Sequence, residues 1–234
     1  MIKYEDVFNE YTLNIFTDAS ITKVNGETIG CPGYICVIKN REEIPFETHT
    51  NSQILRNTTN NECELYAIRM AIQDAISMKD KFKIINIFSD SQFAVYGLRE
   101  WMFEWITNIH GGRIHNSSGK PVANQDIFNA IVGDIIEHDL YVNIYHNRGH
   151  FNSGRVSELN KFIELFTKHN FLNDYINEEL AFEIIKYNDK IDNFTRDRLK
   201  VPNTLCIMNK PLVLPKYDAR NDLDLNHYKE LLNV

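Results

Sequence analysis

The chain has 234 residues, 43% hydrophobic and 24% charged, close to an ordinary globular protein and long enough to bury a sizeable core. With 25 basic against 32 acidic side chains the formal net charge is −7, which excludes a general polycation coating nucleic acid or lipid but leaves room for a local basic face. No run of about 18 apolar residues occurs, Met1 to Asp6 lacks a signal-peptide pattern, and Cys31, Cys36, Cys63 and Cys206 have no metal-ligand spacing. No membrane contact, reduced thiols and a cytoplasmic location are the resulting expectations.

In chain order, Tyr11 to Thr17 alternates as a strand and ends in Asp18-Ala19-Ser20, with a turn at Asn25-Gly26. Gly33 to Ile38 and Ile44 to Thr50 read as two further strands around the charged turn Lys39 to Glu43, giving a hairpin-rich, antiparallel start. Asn60 or Asn61 can cap a helix on which Leu65, Ile68, Met70, Ala71, Ile72, Ala75 and Ile76 share helical spacing. Lys83 to Phe88 is a buried strand ending in Ser89-Asp90-Ser91, and Phe93, Val95, Leu98, Trp101, Met102 and Trp105 mark the next helix. A loop over His110 to Pro121, a helix over Asp126 to His138 and a fifth strand over Leu140 to Tyr145 follow. Hairpins first, then alternating strands and helices, predict an α/β layer with a mixed sheet.

Residues 151–187 read as an acidic helical insert, and Asn188 to Lys200 as one more helix, the two closing a domain over 1–200. The apolar positions Phe162, Ile163, Leu165, Phe166, Phe171, Leu172, Tyr175 and Ile176 suggest a helical pair packed on the domain, with partner docking as the alternative. Residues 201–234, with Pro202, Pro211 and Pro215, form a C-terminal extension that drapes over the domain or stays partly mobile.

Asp18 and Asp90 each end an apolar strand, where a carboxylate is costly unless a cation or donors meet it. Singly, such an Asp is commonly a turn former or cap. If both strands are neighbours, their acids share one sheet edge, and Glu64 on a covering helix can join them. Asp192 also lies near an apolar stripe. Clustered carboxylates repel and persist with hard cations, of which Mg²⁺ favours carboxylate oxygens and water.

Thr17-Asp18-Ala19-Ser20, Thr58-Thr59-Asn60-Asn61-Glu62-Cys63-Glu64-Leu65, Ser89-Asp90-Ser91-Gln92, Gly149-His150 and Asn188-Asp189-Lys190-Ile191-Asp192 resemble, in this order, the motifs of type 1 ribonuclease H. Gly119 to Asp126 is similar to the stretch after the family's substrate-handling loop. The resemblance covers about residues 11 to 150 and 188 to 200. It implies the ribonuclease H-like fold, a central five-stranded mixed sheet with helices on both faces, here with the added insert.

The resemblance further implies an endoribonuclease that hydrolyses the RNA strand of RNA/DNA hybrids by two-metal-ion catalysis, leaving 5′-phosphate and 3′-hydroxyl ends. Asp18, Glu64, Asp90 and Asp192 would hold two Mg²⁺ ions, for which Mn²⁺ can substitute, and His150 would assist proton movement or product departure. Ser20, Thr59, Asn60, Asn61, Gln92, Trp101 and Asn188 would contact nucleic acid; capping is the simpler role for Thr59 to Asn61, and core packing for Trp101 and Trp105. Arg113, Lys120 and Arg148 could touch phosphates, but for lone cations solvation is the simpler reading.

Two departures from the pattern stand out. His150 and Asp192 are 42 positions apart, so the insert must return the chain to the site, or Glu158 takes the fourth carboxylate role. The Thr107 to Arg113 segment carries a single Arg, which predicts weaker hybrid binding unless the insert or tail compensates. The protein is expected to be a monomer, with the insert and tail as candidate surfaces for a protein partner. The alternatives are a non-catalytic hybrid-binding module and a same-fold nuclease acting on another nucleic-acid structure.

Overall fold

The computed structural model describes residues 1–39, 45–111, 113–149, 151, 155–200, 207–208 and 222–232. After a single helical turn, α1 (Tyr4–Val7), the chain forms the strands β1 (Thr12–Val24), β2 (Glu27–Lys39), β3 (Pro45–Ser52) and β4 (Ile54–Arg56). Helix α2 (Asn60–Met78) leads to β5 (Ile84–Ser89). A broken helix follows: α3 (Gln92–Tyr96), a wide π turn over Gly97–Trp101, and α4 (Met102–Trp105). The small ribbon β6 (Ile109–His110) and β7 (Arg113–Ile114) precedes α5 (Gln125–Glu137), β8 (Val142–His146), α6 (Val156–His169), α7 (Glu178–Leu199), β9 (Ile207–Met208) and α8 (Leu225–Leu231).

The sheet runs β8-β5-β1-β2, and β3 and β4 both pair with β2 along its outer edge, with β9 beside β4. It thus has five strand positions, as expected, plus the short β9. β1, β5 and β8 are parallel, whereas β2 is antiparallel to β1, β3 and β4.

Alternation along β1 sends Leu13 and Ile15 to one face and Phe16 to the other. The first face packs on Leu65, Ile68 and Ile72 of α2 and Ile127 and Ile131 of α5. On the second, Phe16 and Phe88 stack at 4.7 Å and meet Phe162 and Phe166 of α6 and Ile184 and Ile191 of α7. Each such large apolar side chain contributes about 1.5–3 kcal/mol when fully buried.

The insert is therefore half of a core rather than an outlying unit, and its stripe residues Phe162, Phe166 and Ile176 are inside it. Phe171 and Tyr175 of the same stripe are exposed.

Register across the parallel strands is marked by three buried asparagines. Asn86 lies opposite Asn14 and Asn143. Asn86 Nδ2 donates to Asn14 Oδ1 at 2.9 Å, and Asn143 Nδ2 donates to Asn86 Oδ1 at 2.8 Å. A one-residue slip would leave these amides buried and unpaired.

Four sequence expectations need correction. Asp18 does not end β1, because β2 continues to pair with it out to Val24, and Asp18 sits opposite Gly33. The helix cap before Glu64 is Thr59, whose hydroxyl accepts the Glu62 N–H at 3.2 Å. The loop after His110 holds the ribbon β6–β7. The final helix begins at Glu178, three turns before Asn188, capped by Asn177. Leu180, Ala181 and Ile184, in its early turns, carry it into the core.

The extension is anchored at two places among its described residues. β9 pairs with β4, and α8 packs beside α5, with the Tyr228 hydroxyl donating to the Leu98 carbonyl at 3.0 Å. No helix among the described residues is long and apolar enough to cross a membrane.

Candidate active site

Sheet register brings the acids together. Pairing of β1 with β5 stops at Thr17 opposite Ser89, so Asp18 and Asp90 stand side by side one residue further on. Helix α2 packs on the first face and places Glu64 at the same edge. Carboxylate oxygens of Asp18, Glu64 and Asp90 all lie within 4.8 Å of one another. Asp18 is 6% exposed and Glu64 3%, while Asp90 is half-buried.

This arrangement is electrostatically expensive. Burial, and next the neighbouring Asp90 carboxylate, push Asp18 up to about 7, against the opposing hydrogen bonds from Thr195 and the Ala19 N–H. Glu64 is held well above the usual range by burial and by Asp18 and Asp90, with the Asn60 side chain opposing. One Glu64 oxygen, Oε2, is buried with no hydrogen-bond partner among the described residues. An orphaned carboxylate oxygen facing two more carboxylates suits an oxygen-seeking dication, so the residues present fit a metal.

Helix α7 reaches the same place from the second face. Gly33 lets it approach: a Cβ there would lie 2.8 Å from Thr195 Cγ2. The Thr195 hydroxyl then donates to Asp18 Oδ2 at 3.0 Å and sits 3.0 Å from Ser20 Oγ. Asp192, one turn earlier, is close enough to raise Asp18 but stands outside the 4.8 Å group, its carboxylate paired with Arg196. Glu158, the competing candidate, lies on α6 and pairs with Arg155. Thr195 was not singled out in the sequence; its spacing of three from Asp192 on a helix was the available signal. Replacing Thr195 by Val removes a donor to the ionised acid, so the Asp18 titration is expected to rise further by about one pH unit, with Ser restoring it. Carboxyl NMR against pH measures this; an unmoved midpoint would deny Thr195 that role.

The remaining predicted positions surround the acids unevenly. Thr59, Asn60, Asn61 and Gln92 are exposed at the starts of α2 and α3. Trp101 is half-buried, packed near Phe93, Tyr96 and Trp105, while Trp105 belongs to the core. Asn188 is turned inward, 7% exposed, and its Oδ1 accepts from Asn147 Nδ2 at 2.5 Å. It braces the 147–149 segment through Asn147. His150 lies outside the described residues, as does Cys206. Its neighbour Gly149 packs so closely on Asp90 that a Cβ would sit 2.8 Å from Oδ2. Cys31, Cys36 and Cys63 are buried thiols, pushed up to about 11, 12 and 12, chiefly by burial.

A mixed sheet with carboxylates gathered where its central strands β1 and β5 part, covered by helices on both faces, defines a class of metal-dependent nucleases. The family model described as RNase H matches residues 10–170. Haemophilus influenzae ribonuclease HI is 34% identical over 128 residues, 55% of this chain and 73% of that protein. Treponema denticola ribonuclease H is 33% identical over 127 residues, 50% of this chain and 73% of that protein. In structure, the prototype foamy virus RNase H domain in solution matches with a TM-score of 0.50 at 18% identity, covering 72% of this chain and 98% of that one. The match to the foamy viral protease–reverse transcriptase covers 20% of that chain, at 17% identity and a TM-score of 0.47. The chain belongs to the RNase H family of enzymes.

Proposed function

We propose that this protein is an endoribonuclease that cuts the RNA strand of RNA/DNA hybrids with two Mg²⁺ ions, leaving 5′-phosphate and 3′-hydroxyl ends. The convergence of three carboxylates within 4.8 Å, two of them buried, carries the reading. Asp18, Glu64 and Asp90 would hold the ions, with Asp192 as the fourth ligand once it leaves Arg196. When bound, the ions lower the pKa of the attacking water and stabilise the leaving oxygen. The chain supplies geometry: β1 and β5 fix two acids, α2 a third, and the Thr195 hydroxyl holds Asp18 in one orientation.

Exposed Thr59, Asn60, Asn61 and Gln92 at helix starts can donate to phosphates and read sugar edges, where the 2′-hydroxyl distinguishes RNA from DNA. Ser20 and Trp101 extend that surface, and His150 follows Gly149 beside Asp90. The protein is read as a cytoplasmic monomer.

A labelled RNA strand offered alone, in an RNA duplex and paired with DNA tests the substrate. Cutting of the hybrid alone, with products that shift on phosphatase treatment of the downstream fragment, is expected. Equal cutting of the RNA duplex would replace hybrids as the substrate class.

Protons and cations compete for the same acids, so activity falls on the acid side and rises through neutral pH, where Asp18 ionises. Tenfold more Mg²⁺ is expected to move the acid limb downward by about one pH unit if one proton is displaced and by about half a unit if two are. A limb that stays fixed across Mg²⁺ concentrations would contradict carboxylates as the titrating groups.

A further inference from the structure

The insert reaches the catalytic edge at a second point, through residues that the activity has not so far used. β8 is the outermost strand on its side, and His146, at its end, lies opposite Ser89 and so next to Asp90. An edge strand leaves backbone groups without a neighbour. Here Asn170, just past the end of α6, fills that place: its Oδ1 accepts the His146 N–H at 2.7 Å, and its Nδ2 donates to the His146 carbonyl at 2.9 Å. One amide thus does what a further strand would do.

Arg99, from the π turn, locks the arrangement. It donates to Asn170 Oδ1 at 3.1 Å, the Ile144 carbonyl at 3.3 Å and the His169 carbonyl at 3.0 Å.

The imidazoles complete a directed chain. His146 Nε2 lies 3.2 Å from the Asp90 carbonyl oxygen, which can only accept, so Nε2 carries the proton. His146 is 2% exposed and each of its ring nitrogens meets one partner, so a single proton, on Nε2, satisfies the ring. Its Nδ1 therefore accepts. The atom facing it at 3.1 Å is His169 Nδ1, which must donate.

We propose that His146 is a positioning residue for Asp90, and that the insert, through His169 and Asn170, fixes its tautomer and place. The proposal rests on Asp90 serving as a metal ligand, as read above. It gives residues 151–187 a part in the catalytic geometry rather than in packing alone. Groups that hydrogen-bond to metal ligands carry effects of about 10–100-fold on affinity or activity.

His169→Ala and His169→Asn decide it. The Asn side-chain N–H stands near where Nδ1–H stood, so Asn keeps the donor that Ala loses. His169→Ala is expected to lower kcat on a hybrid about tenfold with KM within about twofold, and to weaken Mn²⁺ binding by calorimetry without substrate to a similar degree. His169→Asn is expected to recover most of both. Values for Ala within twofold of wild type, or Asn as impaired as Ala, would overturn the proposal. Imidazole nitrogen NMR on the unmodified protein gives an arm that no misfolded variant can spoil: His146 is expected as the Nε2–H tautomer, and the Nδ1–H tautomer would overturn it. Failure of the ribonuclease reading looks different. The unmodified protein would then cut no hybrid, while calorimetry and NMR still decide the positioning role.

Discussion

Asp18→Asn protein is expected to cut no hybrid above background and yet to melt higher than the unmodified protein when metal is removed. The two effects share one cause. Asp18 is held from 3.8 up to about 7, first by burial and then by Asp90, so ionising it in the folded state is unfavourable. An acid whose pKa rises on folding penalises the fold only where the unfolded chain is ionised. Below about pH 4 both states are protonated and the two proteins should melt alike. As pH rises from about 4 to about 7 the unfolded chain ionises while the folded acid stays protonated, and stability is lost across that window. At about 1.4 kcal/mol per pH unit, the penalty is roughly 2–4 kcal/mol at pH 8, or ~4–16 °C in Tm for a domain of this size. Asn keeps the acceptor for Thr195 and sheds the charge. Melting in a chelator at pH 4 and pH 8 checks this; equal melting at pH 8 would contradict a strained acid cluster. Saturating Mg²⁺ should narrow or reverse the difference, since only the unmodified protein gains fully from binding.

Gly149→Ala is expected to leave the protein folded while lowering kcat about 100-fold. The added Cβ would meet Asp90 Oδ2 at 2.8 Å and Asn188 Nδ2 at 3.6 Å. The tight contact is with the far end of a side chain, so the fold yields there cheaply, by turning the Asp90 carboxylate. A metal ligand displaced by even a fraction of an ångström to 1 Å loses reactive geometry, for which factors near 10² are usual. Steady-state kinetics beside a melting curve separate the effects: kcat within about threefold would deny that Gly149 shapes the site.

Much of this was legible in the sequence because it depended on local pattern. Alternation around Leu13, Ile15 and Phe16 located β1, and the apolar run through Phe88 located β5; their register then brought Asp18 and Asp90 together without further instruction. Glu64 was readable from its place near a helix start. What stayed hidden depends on partners distant in sequence. The continuation of β1 beyond Asp18 leaves even Ile21 and Val24 exposed, and only its pairing with β2 reveals it. The start of α7 reads as acidic surface until the aromatic second face is known. Thr195 and His169 look ordinary alone; Asp18, 177 positions from Thr195, and His146, 23 from His169, give them roles. Asn188 carries its motif's identity, but burial against Asn147 changes what it can touch.

The most direct test of the central claim is one gel: an end-labelled RNA strand paired with DNA, with Mg²⁺ or with a chelator, cut by the unmodified protein and by Asp18→Asn. Metal-dependent cutting by the first and none by the second is the expected result. Cutting that persists in the chelator, or survives loss of the Asp18 carboxylate, would show that the buried acid cluster is not the catalytic centre.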